Sequence, residues 1–253
     1  MLQSLIKSFV ILSIFASSLF SAQKPNVLFY CGITMANAMQ SIATEFEKKN
    51  NCSIKIIQGG SEDLYDSLKL SKQGDLYLPG SDSYIKDYGK DGFFEKQVYV
   101  GFNQAAIFVK KGNPKKIKDL ESLVDGNIGT TLGGKDSGSV GQMTKKVLVA
   151  YKGEAFYNKA FDMALEIGTD SRSLDASLLK PEIDMVVNWI AAGVSPANKK
   201  VITIIPIDEK YAPKKSLVIT TLSFSKNKAL AEKFVDFAAS KDGENIMKKY
   251  GFR

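Results

Sequence analysis

The chain has 253 residues, 44% of them hydrophobic and 24% charged, with a formal charge of +7, two cysteines and no histidine. The lack of histidine removes the commonest general base and the commonest transition-metal ligand, and with them most hydrolase and metalloenzyme chemistry. Lysine carries nearly all the positive charge, in pairs such as Lys48–Lys49, Lys110–Lys111 and Lys248–Lys249. Pairs of this kind at element ends read as a solvated surface with a mild attraction for anions.

In chain order, Met1–Ala22 comes first, with Lys7 as its only charge and an apolar stretch at Phe9–Phe20. A basic start, a dozen apolar residues and small residues at the end read as a secretory signal, which places the protein in the periplasm. No later segment is long and apolar enough to span a bilayer. The remaining chain, about 230 residues, is enough for one large domain or two lobes.

Asn26–Cys31 is an apolar run suited to a buried parallel strand, and Met35–Lys49 continues with helical spacing of Met35, Ala38, Met39, Ile42 and Phe46. Ser53–Gln58 reads as a strand, then a helix runs from Gly59–Gly60–Ser61 to Leu70. Asp75–Leu78 is a third strand and Ser83–Lys90 a helix. Val98–Lys110 is one longer strand-like run. Lys118–Leu123 is a short helix and Gly126–Thr131 a strand. The loop Gly133–Ser139 then feeds a helix through Tyr151, and Phe156–Leu165 and Asp170–Leu179 are helical. Met185–Trp189, Val201–Ile207 and Leu217–Leu222 are strands, and Lys226–Ser240 and Lys241–Tyr250 close the chain as helices. Strands alternating with helices give an α/β fold of mostly parallel sheets flanked by helices. A middle segment bounded by crossing strands near Val98–Asn103 and Asp208–Ser216 predicts two lobes: 23–101 and 215–253 form the first, 102–214 the second. Cys31 and Cys52 fall at opposite ends of neighbouring strands. At about 3.3 Å per residue they are too far apart for a disulfide, which leaves Cys31 near whatever binds at the strand tips.

In open parallel sheets ligands bind at the carboxyl ends of strands, where helix N-termini offer unpaired N–H groups and a partial positive charge. Small and hydroxyl-bearing residues occupy several such points: Gly32-Ile33-Thr34, Gly59-Gly60-Ser61, Ser81 within Pro79–Ser83, and Ser139-Val140 within Ser137–Gly141. Each alone is an ordinary turn or cap; their recurrence at one topological place in both halves points to an anion site. They form no nucleotide-binding fingerprint. Arg172, one of two arginines, sits at a helix start where its guanidinium suits an oxyanion or a salt bridge to Asp170 or Asp175. Asn188 lies at another strand tip, beside Trp189. Serine or cysteine nucleophiles lack a histidine base, so no enzyme, metal or cofactor is expected.

The stretch Phe29-Tyr30-Cys31-Gly32-Ile33-Thr34-Met35-Ala36-Asn37-Ala38-Met39-Gln40 resembles the first strand and helix of periplasmic molybdate-binding proteins. The likeness continues in Gly74–Leu78, Ser81-Asp82 and Ile246–Phe252. It implies a two-lobed type II periplasmic binding protein that clasps a molybdate- or tungstate-like oxyanion between its lobes by hydroxyls and amides. It also implies delivery of that ligand to an inner-membrane ABC permease. Carried over, Thr34 falls on one binding serine, Gly60 or Ser61 on a second, and the backbone near Val140 on an amide donor. Ile33-Thr34 stands where the family has paired serines, and the family's tyrosine falls near Val187 or Asn188. A second reading therefore stays open, in which Arg172 holds a small carboxylated or phosphorylated organic acid. A surface antigen or adhesin is the alternative from another class. A monomer without nucleic-acid partners is expected.

Overall fold

The computed structural model describes residues 24–135, 138–194 and 197–252. The signal-like Met1–Ala22, Asp136 and Ser137 of the glycine-rich loop, and Arg253 lie outside the described residues. Among the described residues no helix is long and apolar enough to cross a membrane.

The first lobe opens with β1 (Asn26–Gly32), α1 (Ala36–Lys49), β2 (Ser53–Gly59), α2 (Ser61–Ser71), β3 (Leu76–Leu78), α3 (Ser83–Tyr88) and β4 (Phe94–Asn103). The second runs through β5 (Ala105–Lys110), β6 (Thr130–Gly133), α4 (Gly138–Met163), β7 (Glu166–Gly168) and α5 (Ser171–Ser177). It continues with β8 (Met185–Trp189), α6 (Ile190–Gly193), α7 (Asn198–Val201) and β9 (Ile202–Pro206). The chain then returns to the first lobe with β10 (Lys215–Leu222), α8 (Lys228–Ala239) and α9 (Lys241–Lys249).

Each lobe holds a five-stranded sheet, in the orders β2-β1-β3-β10-β4 and β7-β6-β8-β5-β9. The two orders are the same pattern: three parallel strands, then the strand that has just crossed from the other lobe, then an edge strand. The crossing strand runs antiparallel to both of its neighbours, so each sheet is mixed where a mostly parallel one was expected.

Local sequence explains the packing. Along β1, Val27, Phe29 and Cys31 enter one apolar cluster while Tyr30 enters the cluster on the opposite face. This is the period of two expected of a strand covered on both sides. α1 buries Ala38, Met39, Ile42, Ala43 and Phe46, and ends on Lys48 and Lys49, which favour the negative helix terminus. The helices expected through Tyr151 and over Phe156–Leu165 are the two parts of α4, broken where Lys152 turns non-helical and Gly153 takes φ +82°.

Several boundaries differ from expectation for physical reasons. Val98–Lys110 is two strands in two sheets, and the switch falls at Gln104. Its N–H donates to Asn103 Oδ1, its carbonyl accepts from Ile190 N, and its Nε2 donates to Ala212 O at 2.8 Å. One side chain therefore ties the outgoing crossover to the returning one. The strand expected over Gly126–Thr131 begins only at Thr130, because a turn precedes it, with Ile128 N on Asp125 O and Gly129 N on Asp184 Oδ2. Asp75 precedes β3: its carboxylate accepts from Leu28 N, Ser225 Oγ and Asn227 N, pinning the start of the sheet. Cys31 is fully buried in the core, not at the strand tip surface, and burial pushes its thiol pKa up. Both cysteines are free thiols.

Candidate functional site

Because β1, β2 and β3 are parallel, their carboxyl ends share one edge of the first sheet; β6, β7 and β8 do the same in the second. The loops leaving these edges meet between the lobes around a cavity of about 10 Å³. That volume holds about one water. Gly32, Thr34, Gly60, Ser61 and Gly80 line it from the first lobe; Ser139, Val140, Asp170 and Ser171 line it from the second. Among the described residues no lysine or arginine is on its wall. The N–H groups of Ser61, Ser139 and Val140 stand in the first turns of α2 and α4, where no intrahelical acceptor exists. The cavity is thus a convergence of hydroxyls and helix N-termini, the chemistry that stabilises an anion without a formal counter-charge.

The lobes touch across it. Thr34 Oγ1 donates to Ser171 Oγ at 3.2 Å. A Cβ on Gly80 would lie 2.4 Å from Ser139 Oγ, so this approach needs glycine. Gly138, with φ +61°, brings the start of α4 against Ser61 N, where a Cβ would sit 3.3 Å away.

Each lobe holds its cleft serine from behind. In the first, Ser61 Oγ accepts from Gly80 N at 2.9 Å, and the Ser61 carbonyl accepts from Tyr77 Oη at 2.8 Å. Tyr77 is packed among Tyr65 and Phe94. In the second, the Ser171 carbonyl accepts from Asn188 Nδ2 at 2.8 Å. Asn188 also donates to Asp175 Oδ1, and Asn198 Nδ2 donates to Asp175 Oδ2. Burial pushes the Asp175 carboxyl up to about 6; the hydrogen bonds from Asn188 and Asn198 act the other way, and the charge of Asp170 adds to the rise. Asp170 faces the cavity, but its carboxylate caps α5: Oδ1 accepts from Ser173 N while Ser173 Oγ accepts from Asp170 N.

Of the residues singled out in the sequence, Gly32, Thr34, Gly60, Ser61, Ser139 and Val140 are brought together. Three are not. Ser81 is buried with its Oγ accepting from Ser83 N and Ser83 Oγ at the start of α3. Asn188 is buried and spends its amide on Ser171, Asp175 and the Trp189 N–H, so it acts as a positioning residue. Arg172 is exposed and lines an adjoining chamber of about 450 Å³ that shares Ile33, Thr34 and Ser171 with the small cavity. It forms no ion pair with Asp170 or Asp175 and no hydrogen bond among the described residues. Gly80, Tyr77, Asp170 and Ser171 do not stand out in the sequence as binding residues; the Asp170-x-x-Ser173 capping spacing is the one available signal for the last pair. Among the described residues no group of three acidic or cysteine side chains could hold a metal.

Two lobes that close over a donor-lined cleft, joined by paired crossovers, define a two-lobed solute-binding protein of the type II periplasmic fold. The chain belongs to the bacterial extracellular solute-binding protein family, whose profile matches residues 27–253. A putative binding protein of Haemophilus influenzae is 20% identical over 233 residues, covering 92% of this chain and 93% of that one. The periplasmic molybdate-binding protein of Azotobacter vinelandii superposes with a TM-score of 0.74 at 14% identity, over 89% of this chain and 98% of that one. PEB3 of Campylobacter jejuni, in its L-phospholactate-bound form, superposes with a TM-score of 0.71 at 21% identity, over 90% and 99%. These are binding proteins, as is the family; this chain is a binder, not an enzyme.

Proposed function

We propose that the chain is the periplasmic component of an ABC uptake system and holds a small oxyanion, molybdate- or tungstate-like, between its lobes. The observation that carries this reading is the convergence of Thr34, Ser61, Ser139 and Val140 from opposite lobes on one cavity without a cationic side chain among the described residues. Hydroxyls and first-turn N–H groups can serve every oxygen of a tetrahedral anion, and exclusion of water strengthens each bond. At about 10 Å³ the cavity holds no such anion as it stands, so loading requires the lobes to part at the crossovers and reclose. The loaded, closed form is what an inner-membrane permease would recognise.

A second reading has its own support. Arg172, without an ion pair among the described residues, lines a chamber of about 450 Å³ that opens beside the cavity. An organic acid with two anionic groups could place one near Thr34 and Ser171 and give a second carboxylate or phosphate to Arg172. Thermal unfolding against molybdate, tungstate, sulfate, phosphate, citrate and phosphorylated three-carbon acids separates the two. A ligand at about 100 times its Kd adds about 2.7 kcal/mol. The first reading expects the metal oxyanions to raise Tm, with loss in Thr34→Ala and no change in Arg172→Gln. A rise with organic acids alone, lost in Arg172→Gln, would transfer the function to the second. No shift with any anion would sink both.

A further inference from the structure

A second cavity, of about 160 Å³, lies against Trp189, between α4 and the returning crossover. Its walls are apolar: Met143 and Val147 from α4, Ala105 from β5, and Pro213 from the crossover. Three lysines border it, Lys146, Lys210 and Lys215, and no acidic side chain among the described residues does. Lys210 is partly engaged, at 3.8 Å from Asp208 and over the Tyr211 ring. Lys146 and Lys215 form no ion pair among the described residues. Trp189 is buried, and its indole Nε1–H has no acceptor among the described residues.

We propose that this cavity is a binding site for a small aromatic or short-chain monocarboxylate. Its size suits one six-membered ring, the scale at which an apolar cavity of about 150 Å³ takes up benzene. The ring or chain packs on Met143, Val147 and Pro213. The carboxylate is drawn by the cationic rim of Lys146, Lys210 and Lys215. A ligand there bridges α4 and the segment Lys210–Lys215, which leads directly into β10, so its occupancy stiffens the returning crossover independently of the cleft.

Trp189 is the only tryptophan in the chain, which makes its fluorescence a local reporter. Purified protein is titrated with benzoate, with sodium chloride at matched ionic strength and with benzyl alcohol as the neutral isostere. The expected result is a saturable fluorescence change with benzoate, weaker with benzyl alcohol and absent with chloride. Lys146→Ala and Lys215→Ala should each weaken it by roughly two- to fivefold, the range of a solvent-accessible charge pair. Ala150→Leu, which fills the cavity from an exposed helix position, should abolish it while leaving Tm intact. Thr34→Ala should leave it unchanged. No saturable change, an equal response to chloride, a response that survives Ala150→Leu, or one lost in Thr34→Ala would each overturn the proposal, the last by placing benzoate in the cleft.

Discussion

The two lobes present a serine to the same cavity and brace its carbonyl with a single buried donor at the same 2.8 Å distance, yet the material behind that donor differs. In the first lobe it is Tyr77, stacked on Phe94 at 5.7 Å and flanked by Tyr65. Burial raises the Tyr77 pKa well above its ordinary value, so nothing there ionises near neutrality. In the second it is Asn188, anchored on the half-buried Asp175 carboxylate, whose pKa burial pushes up to about 6. An aromatic brace is rigid and indifferent to pH. A polar one is directional but tied to the charge state of Asp175. The closing surfaces are alike, while the supports will respond differently to conditions.

The comparison depends on the lobes meeting, so the largest effect comes from keeping them apart. Gly80→Val should place a branched side chain against Ser139 and cut affinity for the anion selected by the thermal panel by about 100-fold or more, equivalent to about 2.7 kcal/mol. Titration calorimetry reads the affinity, and solution scattering should show a lobe separation that ligand no longer reduces. Next, Asn188→Ala removes donors from both the Ser171 carbonyl and Asp175. It should destabilise the protein by about 3 kcal/mol by denaturant unfolding, with hydrogen-exchange protection lost mainly in α5 and β8.

Asp175→Asn tests the pH difference. The folded pKa of about 6 lies above the ordinary 3.8, so between these values the folded state binds the extra proton. Asp175 therefore contributes a loss of stability as pH rises through that window, up to about 3 kcal/mol. The difference between wild type and Asp175→Asn, measured from pH 3.5 to 7.5, should trace that slope. A constant difference would show that the carboxyl is not perturbed. Smallest, Tyr77→Phe should cost about 1 kcal/mol, with no pH dependence across the same range. An effect in the first lobe that varied with pH would erase the contrast.

The periodic elements were legible in the sequence. Met185–Trp189 is β8 to the residue, and α1 follows from its apolar spacing. A crossing near Val98–Asn103 was legible, but the strand break at Gln104 was not, because Val98–Lys110 is uniformly strand-like and the break is held by contacts with Ile190 and Ala212, distant in the chain. The three-residue β7 was likewise invisible: Glu166-Ile167-Gly168 holds one apolar residue, where the equally short β3 is Leu76-Tyr77-Leu78. In the cleft, the glycine and hydroxyl loops after β1 and β2 were legible because strand-tip position is itself a sequence feature. Ser81 and Asn188 share that position but turn inward, to Ser83 and to Asp175. Side-chain direction at a loop is set by neighbours the sequence does not name. Gly80 shows the same limit from the other side: an ordinary turn residue in the sequence, it is where one lobe leaves room for the other's Ser139.

The place of β10 bears on how the molecule is made. It lies inside the first sheet, between β3 and β4, yet arrives more than a hundred residues after them in the chain. Until Lys215–Leu222 emerges, β3 and β4 have no strand between them, whereas β5 to β9 form a contiguous segment that can close its own sheet. Synthesis from the N-terminus therefore leaves the earlier half of the protein waiting on the later half. The first lobe must complete through long-range pairing, the slow and aggregation-exposed kind of step, with the second lobe already serving as a folded spacer between its two parts.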